Sequence, residues 1–293
     1  MALFQSTLGN PNLRRFFLGQ GISNIGNLLK QVAIAWMAYK LTDSARLLAV
    51  VLFSREIAAF LISPLAGVIA DRLDKFRLIL LANTALMFTT TFLGLAVIWN
   101  LADIYFLIGI QFLFGLISGT EIPTRQAFVN ELVEKKENLT NAIALNSTLF
   151  NTARIVGPSV AGILIPLVGE GVCFLIYGGM LALLLIIFWP IKYQKPEDPP
   201  KRANFKTEMK NGWNYAIQSP NLRPLLLITA WVTFFGLSYE MLLPVFADRV
   251  FDGVFEANAI TFGYLASAVG AGSIFGAVLL AQRKNLIGLE KIL

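Results

Sequence analysis

Long apolar stretches, interrupted by short polar clusters, run the length of this chain. Eight of them are long enough to cross about 30 Å of hydrocarbon as helices. They fall at roughly 16–39, 47–70, 78–99, 104–122, 141–165, 171–189, 224–246 and 258–281. Two windows, Leu78 to Ala102 and Ala257 to Gln282, carry no charge. Runs such as LALLLIIFW (181–189) and LLLITAWVTFF (225–235) lack the alternation of apolar and polar positions that a transmembrane β-barrel needs. The pattern predicts an all-α membrane protein, a helical bundle whose backbone groups are satisfied inside each helix. Pro64, Gly115 and Pro158 lie within spans, where neighbouring helices compensate for a disturbed backbone. Gly115 with Gly119, and Gly272 with Gly276, predict two close helix crossings.

Composition excludes the soluble alternative. Apolar residues make up 56% of the 293 and charged residues 14%, with a mean hydropathy of +0.66, whereas soluble domains carry about 25% charge. Disorder is excluded by the same richness in large apolar side chains. There is no histidine and a single cysteine, Cys173. This removes imidazole ligands, thiolate clusters and an internal disulfide, so no metal and no cofactor is expected. No GxxxxGK[ST] loop occurs, and no catalytic residues or enzyme chemistry are expected. The 23 Phe, among them Phe53, Phe60, Phe112, Phe114 and Phe150, read as packing or lipid-facing material, and Trp99, Tyr105, Trp189 and Trp231 as interface belts or bundle packing.

The net charge of +6 is explained by topology. With the amino terminus inside, 18 of the 24 basic residues fall in the inner connections, 3 in the outer ones and 3 within spans. This is a strong positive-inside pattern. It predicts a multi-pass protein of the cytoplasmic (inner) membrane, its amino terminus cytoplasmic, with the lipid bilayer as partner and no nucleic acid. MALFQSTLGNPNLRRFFLGQG does not read as a cleavable signal, because Arg14 and Arg15 come late and no A-x-A-like site succeeds them. Six spans fill residues 1–190, a polar connection occupies 191–223, and two more spans lie in 224–293. Within the connection, Phe205, Met209, Trp213, Ala216 and Ile217 recur at helical spacing, which predicts an amphipathic helix at the membrane surface, with a plain solvated linker as the alternative.

The second span ends in SPLAGVIADRLDKFR. Here the chain resembles the major facilitator superfamily, whose loop between helices 2 and 3 carries G-x-x-x-D-R-x-G-R-[RK]. Gly67, Asp71, Arg72, Lys75 and Arg77 match in order, while Asp74 replaces the second glycine. Gly67 is expected to admit a close helix approach. EIPTRQAFVNEL (121–132), NAIALNS (141–147) and ARIVGPSVAG (153–162) are similar to the multidrug and siderophore exporters of that superfamily, the enterobactin type included. Gly157, Pro158 and Gly162 match its helix 5 antiporter motif. The resemblance implies a complete six-helix half plus the start of a second. Members usually have twelve spans, so it also implies a copy shortened after about eight.

Charges inside spans are expensive and each needs a reason. Lys30, Arg55, Glu56, Arg154 and Glu240 are candidates for a substrate or coupling site, with structural ion pairs or snorkelling as the alternatives. Arg55 and Glu56, about 100° apart on a helix, are expected to seek partners on other helices. Glu121 and Arg125, four residues apart, can pair at an inner gate near Asp71. The resemblance then implies a secondary active transporter, a proton-coupled exporter of a drug-like or siderophore-like small molecule working by alternating access. An importer of a small metabolite, and a shortened, non-transporting membrane fragment or packing partner, remain the alternatives.

Overall fold

The structure is a computed structural model that describes residues 9–133, 139–191, 193, 214–215, 217–220, 222–236, 238–251 and 258–281. Among these residues every regular element is helical. The chain begins with α1 (Pro11–Thr42), α2 (Ala45–Arg72), α3 (Lys75–Ile98) and α4 (Ile104–Leu132). Next comes a 50-residue helical stretch, Leu139–Phe188, that contains two helices, α5 over 139–168 and α6 over 170–188. Beyond the connection come α7 (Leu222–Trp231), a π-helical turn (Val232–Gly236), α8 (Ser238–Arg249) and α9 (Asn258–Ala281). By length and composition, Ala45–Gly67, Lys75–Ile98, Ile104–Leu132 and Leu139–Phe188 are apolar enough to cross a membrane. The protein is an all-α, membrane-spanning bundle.

Side-chain caps set where the helices start. Asn10 accepts from the Asn12 and Leu13 amides, with Pro11 opening α1. Ser44 caps α2, Asp74 caps α3 and Asp103 caps α4, each accepting from the amide three residues on. Such caps satisfy amides that a helix leaves unpaired. The substitution at position 74 thus gains a role: its carboxylate accepts from the Arg77 amide at 3.0 Å. The helices also overrun the apolar spans. α1 starts at Pro11 and α4 continues to Leu132, past Glu121 and Arg125.

α1 and α5 run side by side in the same direction, Gly21 facing Leu149 and Gly157 facing Leu28. α6 returns antiparallel, since Gly26 faces Tyr177 and Gly19 faces Phe188. The reversal needs Gly169, whose backbone sits at φ 80°, ψ 166°, a region almost closed to residues with a Cβ. α2 packs along α4, α3 against α4 and α6, and α9 along α5. One end of the bundle holds Asp43 and the α1–α2 turn; the other holds Lys75. A buried aromatic cluster pins the Lys75 end, with Phe16 of α1 5.6 Å from Phe128 of α4 and 5.4 Å from Phe188 of α6. Phe76 of α3 stacks 5.5 Å from Phe128.

Of the two predicted close crossings, one forms. A Cβ on Gly115 would strike the Arg55 carbonyl, and one on Gly119 would come within 2.5 Å of Ile62, so α4 meets α2 backbone to backbone. The other does not: a Cβ on Gly272 or Gly276 would meet nothing within 4 Å among the described residues. The same holds at Gly67, where the expected close approach is not made by any described residue. Phe205, Met209, Trp213 and Ala216 of the expected surface helix lie outside the described residues.

Gly169→Ala tests the reversal. A Cβ there has open space, so its cost is conformational, about 1–3 kcal/mol. The variant is expected to unfold in detergent at a lower temperature than the parent, and an unchanged midpoint would show that the turn can relax.

Candidate functional site

α5 is the element that joins the six-helix half to the later helices. Its glycines face opposite neighbours. A Cβ on Gly157 would come within 2.7 Å of Leu28 on α1, and one on Gly162 within 2.9 Å of the Gly263 Cα on α9. Gly263 in turn leaves room for the Gly162 Cα and the Pro158 carbonyl. Pro158 has no N–H, so the Arg154 carbonyl loses its donor four residues on. Gly270 of α9 packs directly over that carbonyl. Ser159 and Ser267 lie 2.8 Å apart across the same seam, a hydroxyl contact that serves helices in apolar surroundings. Gly157, Pro158 and Gly162 are thus buried packing residues of a seam between helices.

The seam is tight over half its length. α9 is largely buried from Ala259 to Gly270, while Ala271, Gly272, Phe275 and Gly276 are exposed. On α5, Ile143, Ala144, Ser147 and Thr148 are exposed over the matching stretch, toward the Lys75 end. At the boundary, Arg154 Nη2 of α5 meets Glu240 Oε1 of α8 at 2.9 Å, both side chains about one-third exposed. Nothing in their spacing along the chain links these two candidates; the fold brings them together across the seam.

The other charged candidates divide. Arg55 and Glu56 pair with each other, Nη1 to Oε1 at 3.4 Å, rather than with other helices. Both side chains are long enough to lean together at the helix surface, and Glu56 remains exposed. Glu121 and Arg125 pair at 2.9 Å, as one helical turn allows. Asp71 and Arg72 close α2, but their side chains lie outside the described residues. Lys75 contacts Glu131 of α4 at 2.6 Å, and Tyr193 donates a short hydrogen bond to the same carboxylate. Burial, and then the Glu131 charge, push the Tyr193 hydroxyl pKa up, so it stays a donor. Arg77 is exposed beside its capping partner Asp74.

Lys30 stands apart. It is 2% exposed, with Nζ 3.9 Å from the centroid of the Phe114 ring and 5.2 Å from that of Tyr177. Among the described residues no carboxylate is in ion-pair contact with it, and Glu56 and Arg154 are paired elsewhere. The rings return about 2 kcal/mol, against several kcal/mol for removing an ammonium from water.

A second network, at the Asp43 end, has no signature in the sequence. Tyr39, 3% exposed at the end of α1, donates to Asp248 of α8 at 3.0 Å and accepts from Arg249 Nε at 3.2 Å. Arg249 Nη2 also donates to Asp43 at 3.2 Å, and Asn258 of α9 donates to Asp248 at 2.9 Å. Three helices are thus tied at one end. Arg249 holds the Asp43 carboxyl below its usual range. That contribution is present at neutral pH and is lost as acid protonates the group, below the ordinary carboxylate pKa of about 3.9. Tyr39 and Arg249 are more than 200 positions apart, and neither lies in a motif.

Comparison with known proteins fits this architecture. Residues 5–293 match the family described as transmembrane secretion effectors, of the major facilitator type. The chain is 26% identical over 275 residues to the staphyloferrin A transporter of Staphylococcus aureus, covering 94% of this chain and 68% of that protein. It is 27% identical over 238 residues to the multi-drug resistance efflux pump PmrA of Streptococcus pneumoniae, covering 81% and 57%. The crystal structure of the nucleoside transporter NupG superposes with a TM-score of 0.63 at 11% identity, covering 91% of this chain and 67% of that one, a likeness of fold. The chain spans 57% to 68% of the length of these proteins.

Tyr39→Phe removes both hydroxyl contacts with little change in volume. Hydrogen bonds to charged groups are worth about 1.5–3 kcal/mol, so a lower unfolding midpoint is expected at pH 7. Together with it, a membrane-impermeant thiol reagent should react faster with a cysteine placed at Thr42. A variant as stable and as closed as the parent would show that the network bears no load.

Proposed function

Because this chain belongs to the transmembrane secretion effector family of the major facilitator proteins, we propose that it works as a secondary transporter that exports a drug-like or siderophore-like small molecule by alternating access, coupled to protons. The Arg154–Glu240 contact carries this reading. It is an ion pair within the apolar helices, it joins the six-helix half to the helices after the connection, and it sits where the tight seam gives way to the exposed one. A carboxylate that alternates between an arginine and a proton would change the attraction between the two parts. In this reading residues 1–190 form one rocking unit and 224–293 belong to the other, with 191–223 as their cytoplasmic connection.

The excess of basic residues at the Lys75 end supports placing that end, and the amino terminus, in the cytoplasm. The Asp43 end then faces out. The network of Tyr39, Asp43, Asp248 and Arg249 closes it, and the exposed stretch of α5 and α9 faces in. Lys75 with Glu131, and Glu121 with Arg125, act as inner-gate pairs, and Asp71 and Arg72 of the loop motif are assigned to the same gate. Efflux as the direction draws support from the antiporter-like Gly157, Pro158 and Gly162, and from the relative described as an efflux pump.

Everted membrane vesicles carrying the protein test this. Ethidium accumulation driven by an imposed pH gradient is expected. Glu240→Gln should lose the response to the gradient, and Arg154→Lys, made at normal level, should lower accumulation at least about tenfold, the equivalent of 1.4 kcal/mol. Accumulation that is identical with and without the gradient would remove proton coupling. Full activity of Arg154→Lys would remove Arg154 from the coupling network.

A further inference from the structure

Three of the charged candidates have found a carboxylate. Arg55 has Glu56, Arg125 has Glu121, and Arg154 has Glu240. Lys30 is the most deeply buried of the four, at 2% exposure, and has none among the described residues. What surrounds its Nζ is aromatic: the Phe114 ring of α4 at 3.9 Å and the Tyr177 ring of α6 at 5.2 Å. A buried ammonium that faces only rings leaves the middle of the bundle one negative charge short.

We propose that this missing charge is brought by the cargo: Lys30 is the receptor for a carboxylate of an organic anion. Two features fix the chemical class. The deficit is a single unit, which suits a carboxylate better than a divalent phosphate. The walls around Nζ are the apolar faces of Phe114 and Tyr177, which suit a ligand with an apolar body. The proposal rests on the transport reading only in calling the anion cargo, because binding itself requires no transport.

The purified protein in detergent decides it by thermal unfolding, with benzoate, salicylate and acetate as probes. Benzamide serves as the neutral twin of benzoate, and sodium phosphate and sulfate as inorganic anions at matched ionic strength. A carboxylate present at about 100 times its Kd is expected to raise the midpoint by a few degrees, while benzamide, phosphate and sulfate do not. Lys30→Arg should keep the carboxylate effect and Lys30→Met should lose it. The comparison of benzoate with benzamide is made on the parent protein, so it stands even where Lys30→Met does not fold. Equal midpoints with all three carboxylates and benzamide, equal effects of phosphate and carboxylate, or an undiminished carboxylate effect in Lys30→Met would each overturn the proposal. Carboxylate-dependent stabilisation without any vesicle accumulation would leave the site standing and remove the transport reading. Accumulation of ethidium that is indifferent to Lys30, with no carboxylate effect, would do the reverse.

Discussion

A charge placed in hydrocarbon must be answered by an opposite charge, and this requirement shapes the interior of the protein. Where the partner is close in sequence the answer is local: Glu121 and Arg125 meet across one turn of α4, and Arg55 leans onto Glu56. Where no local partner exists, the fold must supply one, and a bond between distant parts of the chain results. Arg154 and Glu240 are the clearest case, an ion pair spanning 86 positions and two bodies of the bundle. Lys30 is the exception, answered only by aromatic faces.

Ion pairs of this kind can form only where helices come close enough, and here small residues set the distance. α5 is able to serve α1 and α9 together because Gly157 and Gly162 look opposite ways. Pro158, between them, frees the Arg154 carbonyl, and Gly270 closes over it. The same residues that let α9 approach therefore also place the guanidinium of Arg154 at the margin of the seam. Packing and electrostatics share one short segment, which gives a physical reason for motif and charge to occur together in ARIVGPSVAG.

The two ends of the bundle are built from different materials. At the Lys75 end, rings from α1, α3, α4 and α6 pack into a buried cluster capped by the Lys75–Glu131–Tyr193 contacts. Among the described residues this cluster is drawn from the six-helix half and the start of the connection, at Tyr193. At the Asp43 end, polar contacts link α1 to α8 and α9. An apolar cluster loses many dispersion contacts when pulled apart, whereas the mostly part-buried hydrogen bonds of the Asp43 end, each to a charged partner, are worth about 1.5–3 kcal/mol apiece. The half is thus held to itself by apolar packing, while its ties to the later helices combine the buried glycine seam of α5 and α9 with the polar contacts at the Asp43 end.

The helices were legible from the sequence because burial in lipid writes itself locally: about twenty apolar residues in a row announce a span, whereas the caps at Asn10, Ser44, Asp74 and Asp103 came from the structure. The Gly115–Gly119 crossing and the Glu121–Arg125 pair were legible for the same reason, their spacing being a property of one helix. Gly272 and Gly276 have that spacing too and meet no described neighbour, since a small face permits a crossing without creating one. The Arg55–Glu56 contact escaped because side-chain reach at a helix surface outweighed the angle between neighbours. What only the tertiary structure decided was the partner of each long-range group: Glu240 for Arg154, Asp248 and Arg249 for Tyr39, Glu131 for Lys75, and two aromatic rings for Lys30. Those choices depend on which helix faces come together in three dimensions, and a one-dimensional pattern of apolar and charged positions does not contain that information.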